Sequence, residues 1–267
     1  MAMPVHRAGE TRETTAGREP ESIRAGTGSM VGFAAVLTGS AVLASVLAPP
    51  DAVQGQWQRL MYIHVPAAWA AYLAFAGVLA ASVVQLRRLS QHRDTARARR
   101  WAQACAEVGV AATGLTLVAG SIWGHAVWGV WWAWDARLVS TALMFLIYVG
   151  YLGVLAMSQD EPGIGQPRVR AAAWAGVAGF VVVPVVHFSV VWWTTLHQQA
   201  TVLAPPTQAP PLDPRMAVAL SLSVLASTVV GAVVVLQRVR HLVEDQAAPR
   251  AADPAAARRR QTGSGSD

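Results

Sequence analysis

Apolar residues are gathered into six runs of about twenty, separated by short polar stretches. A run of that length is what one membrane-crossing helix needs. The runs cover Ser29 to Leu47, Ile63 to Leu86, Trp101 to Ser121, Leu138 to Met157, Ala171 to Trp193 and Met216 to Leu236. Helix is the state to expect, because a lone strand leaves its backbone groups unpaired in hydrocarbon. The pattern therefore predicts an all-α integral membrane protein with six transmembrane helices. Pro66 suits the first turn of the second helix, which puts His64 just outside its start. Pro184 weakens the fifth helix near its end and bends it.

The flanks differ from the runs. Residues 1–28 and 241–267 are rich in Arg, Glu, Ala, Gly and Ser. They bury too little to offset ordering entropy, so disordered tails are expected on either side of a membrane domain at 29–240. The first run is preceded by 28 charged-rich residues and followed by Ala48-Pro49-Pro50, a poor cleavage site, so an uncleaved helix is expected.

Arginine gives the orientation. The 21 basic residues are all Arg, and 18 of them fall in the N-terminal tail, in the loop at 87–100, in the loop holding Arg168 and Arg170 and in the C-terminal end from Arg238 onward. Only Arg59, Arg137 and Arg215 lie on the other side. The positive-inside rule then makes both termini cytoplasmic. The net charge of +6 comes from residues that flank apolar runs and form no single basic face, so nucleic acid is not expected as a partner. Cys105 is the only cysteine, which removes a disulfide framework and a thiolate metal cluster.

Histidine and tryptophan are lopsided the opposite way. His64, His125, His187 and His197 fall at the outer side, as do nine of the 11 tryptophans. A simple aromatic belt populates both interfaces. Five tryptophans crowd into WGHAVWGVWWAWDARLVS, residues 123 to 140, whose first part belongs to an outer loop at 122–137. Taken singly, an interfacial histidine bonded to a neighbour is an ordinary feature, and a tryptophan-rich stretch is an ordinary anchor. As a pair at similar depth, His64 and His187 suggest a site, since ionisable groups at membrane depth are costly. They suit either a transition metal, with His125 or His197 completing the set, or haem, whose porphyrin leaves only axial positions open. A flat macrocycle uses broad indole surfaces and a bare ion does not, which favours haem. Asp135 is placed to cap the fourth helix. Arg59 and Arg137 are isolated cations beside the suspected site, suited to bidentate pairing with propionate. Glu107 is expected to be ion-paired near the arginine-rich face, and Arg215 to be an ordinary loop charge.

These residues carry a resemblance. WGHAVWGVWWAWDARLVS resembles the tryptophan-rich WWD signature of haem-handling membrane proteins. MYIHVPAAW and HFSVVWWTTLHQ are similar to the two histidine segments of the cytochrome c maturation protein C (haem exporter protein C) family. The three motifs occur in the family's order within residues 29–240. The resemblance implies that His64 and His187 are axial ligands of haem b iron. It implies that Trp123, Trp128, Trp131, Trp132, Trp134 and Asp135 hold the macrocycle, with Arg59 or Arg137 at a propionate. It further implies delivery to a periplasmic haem chaperone, in a bacterial cytoplasmic (inner) membrane complex for c-type cytochrome biogenesis. That complex contains an ABC ATPase subunit, a second membrane subunit and a small single-span subunit. The chain is then a haem-transport component and not an enzyme, and it carries no nucleotide motif G-x-x-x-x-G-K-[ST]. Ala126 stands where that family has Pro, Val139 where it has Thr, and His125 is atypical. The competing reading is a six-span ABC-transporter permease subunit without its own haem site. A di-haem cytochrome b needs two stacked histidine pairs, and a larger haem-attaching synthase needs more spans and an outer domain.

Overall fold

The computed structural model describes residues 21–157, 165–197 and 212–251. They form α1 (Glu21–Leu47), a 3-10 turn (Gln56–Leu60), α2 (Met61–Ser90), α3 (Ala96–Trp128), α4 (Ala136–Met157), α5 (Gly165–Phe180), α6 (Val182–Trp192) and α7 (Pro214–Ala251). Six segments are long and apolar enough to cross a membrane, with α5 and α6 together making the fifth. The only β pairing among the described residues is the isolated bridge between Asp51 and Gly55. The protein is a six-span, all-α membrane protein.

The helices differ from the apolar runs at their ends, for local reasons. The 3-10 turn feeds directly into α2, so His64 is the fourth residue of the helix and Pro66 lies inside it. Burial of Met61 and Tyr62 against Ala48, Met216 and Ala219 ties this extra turn down. The fifth span is broken at Val181, whose N–H bonds back three residues to Ala178. Pro184 has no N–H to return to the carbonyl of Phe180, which weakens the helix at the turn that breaks. α3 runs seven residues past Ser121 and stops where Gly129 adopts φ 76°, a left-handed helix end. Trp123, His125 and Trp128 therefore stand on a helix, and the outer loop proper begins at Gly129. Helix also enters the expected tails: α1 starts at Glu21 and α7 continues to Ala251, while residues 1–20 and 252–267 lie outside the described residues.

α2 is the central helix and packs against α3, α5 and α7. α4 closes the bundle against α3, α5 and α6, and α1 lies on α7. Tight packing, more than expulsion of water, holds such helices together in lipid. Small residues supply it here. Phe75 of α2 lies over Gly109 of α3, where an added Cβ would approach its ring to 2.3 Å. The same Phe75 stacks on Tyr148 of α4 at 3.5 Å between ring centres. Gly176 of α5 likewise leaves room for Ser82 of α2. Near the arginine-rich end, Glu107 of α3 accepts two hydrogen bonds from Arg238 of α7 and one from Gln103, the ion pair expected for it. The first turn of α7 is capped by Asp213, whose side chain accepts from the Arg215 N–H.

Candidate functional site

His64 is held by α3. Its Nδ1 lies 2.9 Å from the carbonyl oxygen of Thr116. A carbonyl only accepts, so Nδ1 carries the proton and Nε2 keeps its lone pair. Gly120, one turn further along α3, makes the space: an added Cβ would come within 2.8 Å of the imidazole. The ring meets Trp123 edge-on at 5.9 Å. Trp123 is fixed in turn, because its indole N–H donates to Gln54 Oε1 at 2.9 Å. Gln54 belongs to a turn closed by Asp51, whose carboxylate accepts from the N–H groups of Val53 and Gln54. A short polar turn thus sets the indole that sets the imidazole.

His64 opens onto a cavity of about 700 Å³, its mouth included. Tyr72, Thr113, Thr116, Gly120 and Gly124 line it from α2 and α3, and Thr141 and Met144 from α4. Trp128, Trp131, Trp132, Arg137 and His197 complete it. Three of the predicted tryptophans therefore converge on one apolar space. Trp134 does not: it is 86% exposed and packs edge-on against Trp132.

His187 is close to this cavity but outside its lining. Its ring abuts Tyr72 at 6.1 Å and Phe188 at 4.9 Å. Tyr72 itself forms part of the wall. The Nε2 of His187 is buried and has no hydrogen-bond partner, a state that leaves a lone pair or a proton uncompensated. The histidine that shares the cavity with His64 is His197. Its ring meets Trp128 edge-on at 5.3 Å, and its Nδ1 is 3.5 Å from Asp135 Oδ2. Burial and the Arg137 charge push the His197 pKa down, against the opposing pull of Asp135, so the imidazole is neutral at neutral pH.

Asp135 does cap α4: its Oδ1 accepts the Leu138 N–H at 2.8 Å. The two expected propionate partners are both engaged with backbone. Arg137 lines the cavity, and its guanidinium also donates to the carbonyl oxygens of Val186 and His187 on α6. Arg59 donates to the carbonyls of Val46 and Ala48 at the end of α1, where helix carbonyls lack intrahelical donors. Of the two, only Arg137 faces the cavity. His125 stacks flat on Trp131 at 4.1 Å and steadies the loop after α3. Among the described residues no cluster of three His, Cys, Asp or Glu is placed to hold a metal ion.

Tyr72 and Met144, which also line the cavity, escape a reading of motifs. Thr113, Thr116, Gly120 and Gly124 do carry a signal, a row of small residues at helical spacing that lets α3 approach α2.

The family described as "Heme exporter protein C" matches residues 22–252. The chain belongs to that family. A "Heme exporter protein C" of Bradyrhizobium diazoefficiens is 40% identical over 159 residues, 60% of this chain and 57% of that relative. The protein of the same description from Escherichia coli K12 is 35% identical over 196 residues, 73% of this chain and 74% of its own length. A "putative cytochrome c biosynthesis ccmC-like mitochondrial protein" of Marchantia polymorpha is 36% identical over 174 residues, 65% of this chain and 70% of its own length. The chain thus spans a little over half of the first of these relatives and about seven-tenths of the others. The residues present suit haem: a mostly apolar cavity lined by His64, whose Nδ1 is engaged by the Thr116 carbonyl, and by Trp128, Trp131 and Trp132.

Proposed function

We propose that this protein binds haem at the outer, periplasmic face of the membrane and delivers it to a periplasmic haem chaperone during c-type cytochrome biogenesis. Membership in the Heme exporter protein C family implies haem handling for cytochrome c biogenesis in a multi-pass membrane protein. The observation that carries the finer reading is His64, whose Nδ1 is held by the Thr116 carbonyl and whose ring lines a cavity shared with three tryptophans. His187 supplies the second axial bond to a haem b iron. For that, α6 and Tyr72 must shift so that the His187 ring reaches the cavity, and the break at Val181 is the natural hinge. Trp128, Trp131 and Trp132 cover the macrocycle, Trp123 steadies His64, and Trp134 is left exposed for the chaperone. Arg137 is the preferred propionate partner, because Arg59 is spent on α1 and does not line the cavity. Asp135 positions the loop through its cap on α4.

The arginine distribution supports cytoplasmic termini, with the cavity end facing outward. The cytoplasmic side then meets an ABC ATPase subunit, and the bundle a second membrane subunit and a small single-span subunit, in a bacterial inner membrane. The protein acts as a carrier that presents its cargo and catalyses no bond change itself. An absorption spectrum of the detergent-purified chain tests this. A low-spin haem spectrum is expected. Protein that purifies without haem and takes up no added haemin would instead fit a permease subunit with no haem site.

A further inference from the structure

The axial pair leaves a third imidazole unexplained. His197 lies five residues beyond the end of α6, and it lines the cavity together with His64. Its Nδ1 lies 3.5 Å from Asp135 Oδ2, just outside hydrogen-bond contact, and neither buried atom has a hydrogen-bond partner. Asp135 is fixed independently by the bond from the Leu138 N–H. A carboxylate can only accept, so closing this short gap would hold the His197 proton on Nδ1 and leave the Nε2 lone pair for a metal. That arrangement, an imidazole backed by a carboxylate, is the one that orients and strengthens histidine as a metal ligand. His64 reaches the same tautomer through the Thr116 carbonyl. The site thus contains two imidazoles on the wall of one cavity, while His187 abuts Tyr72 outside it.

We propose that His197, aligned by Asp135, is a third iron-binding imidazole of this site, and that haem held by His64 exchanges its other axial bond between His187 and His197. This rests on the haem reading above. In the exchange one iron–nitrogen bond breaks and another forms, and no proton or electron moves. Its use follows from position. His187 is part of a membrane-spanning helix, whereas His197 belongs to the connection that follows it, next to the exposed tryptophans. Passing the iron from one to the other would move the cargo toward release, with the position open only between loss of one imidazole and arrival of the other.

The experiment uses the full chain in detergent with added haemin, read by absorption and low-temperature electron paramagnetic resonance. In His187→Ala the bound haem should remain six-coordinate and low-spin, because His197 takes the bond. In His187→Ala with His197→Ala it should become five-coordinate and high-spin, and free imidazole should restore the low-spin signal, which shows that the cavity still holds haem. Asp135→Asn in the His187→Ala background should give a mixture of spin states, since the amide no longer fixes the tautomer. The proposal is overturned if His187→Ala is already high-spin or binds no haemin, or if the double variant stays low-spin. Wild-type protein that binds no haemin removes the haem reading itself, an outcome distinct from each of these.

Discussion

Arg137, in the first turn of α4, donates a hydrogen bond of 2.9 Å to the carbonyl oxygen of His187 on α6. A second bond from the same nitrogen reaches the Val186 carbonyl at 3.3 Å. One side chain thus faces the cavity and also fixes the backbone that carries a proposed iron ligand. Events at the cavity wall and the placement of His187 are mechanically linked through it.

Arg137→Ala should therefore do two things. Loss of hydrogen bonds from a charged donor to partly buried carbonyls costs about 2 kcal/mol, visible as a lower melting temperature of the purified protein. The haem spectrum should change as well, because α6 is released. Arg137→Lys should recover the charge but only part of the spectrum, since a single ammonium replaces a planar fork. An unchanged spectrum in Arg137→Ala would separate the residue from His187 placement.

Gly120→Ala tests the seat of His64. The added methyl would sit 2.8 Å from the imidazole, closer than a Cβ tolerates, so the ring must leave its bond to Thr116. Alanine favours helix over glycine by about 1 kcal/mol, so α3 itself should not suffer. The expected result is protein that inserts normally with haem content reduced severalfold. Wild-type haem content would show that His64 orientation is not set by this contact.

His64→Ala removes the ligand common to every arrangement considered. Haem should fall at least tenfold and recover partly with added imidazole. Normal low-spin haem in His64→Ala with His187→Ala would overturn the axial assignment.

Trp131→Ala with Trp132→Ala removes two indoles from the cavity wall while leaving His64 and its bond to Thr116 in place. Haem should still bind in part, but the amount of covalently trapped chaperone adduct should drop. An undiminished adduct would argue against the tryptophans as a handover surface.

Glu107→Gln addresses the other end of the bundle. The Glu107–Arg238 pair is geometrically close, yet the two side chains are 31% and 36% exposed. Pairs this open are worth about 0–1 kcal/mol. The variant should melt within a few degrees of wild type and keep its haem spectrum. A large loss of either would assign the pair a role in the site.

The six crossings were legible in the chain because the bilayer enforces a local rule. Each span must satisfy its own backbone hydrogen bonds and show apolar atoms to lipid, so length and composition suffice. The uneven sorting of arginine against histidine and tryptophan was legible for the same reason, since each residue answers to the interface nearest to it. The bond from His64 to Thr116 links residues 52 apart, and that from Arg137 to His187 residues 50 apart. The approach of His197 to Asp135 spans a comparable distance in sequence. None of these leaves a periodic trace, because each depends on where whole helices come to rest. Tertiary packing alone placed His197 on the cavity wall and His187 against Tyr72, and turned Arg137 to α6. Those placements are decided by the fit of small residues on α3 beneath the side chains of α2, a choice made between helices and not within one.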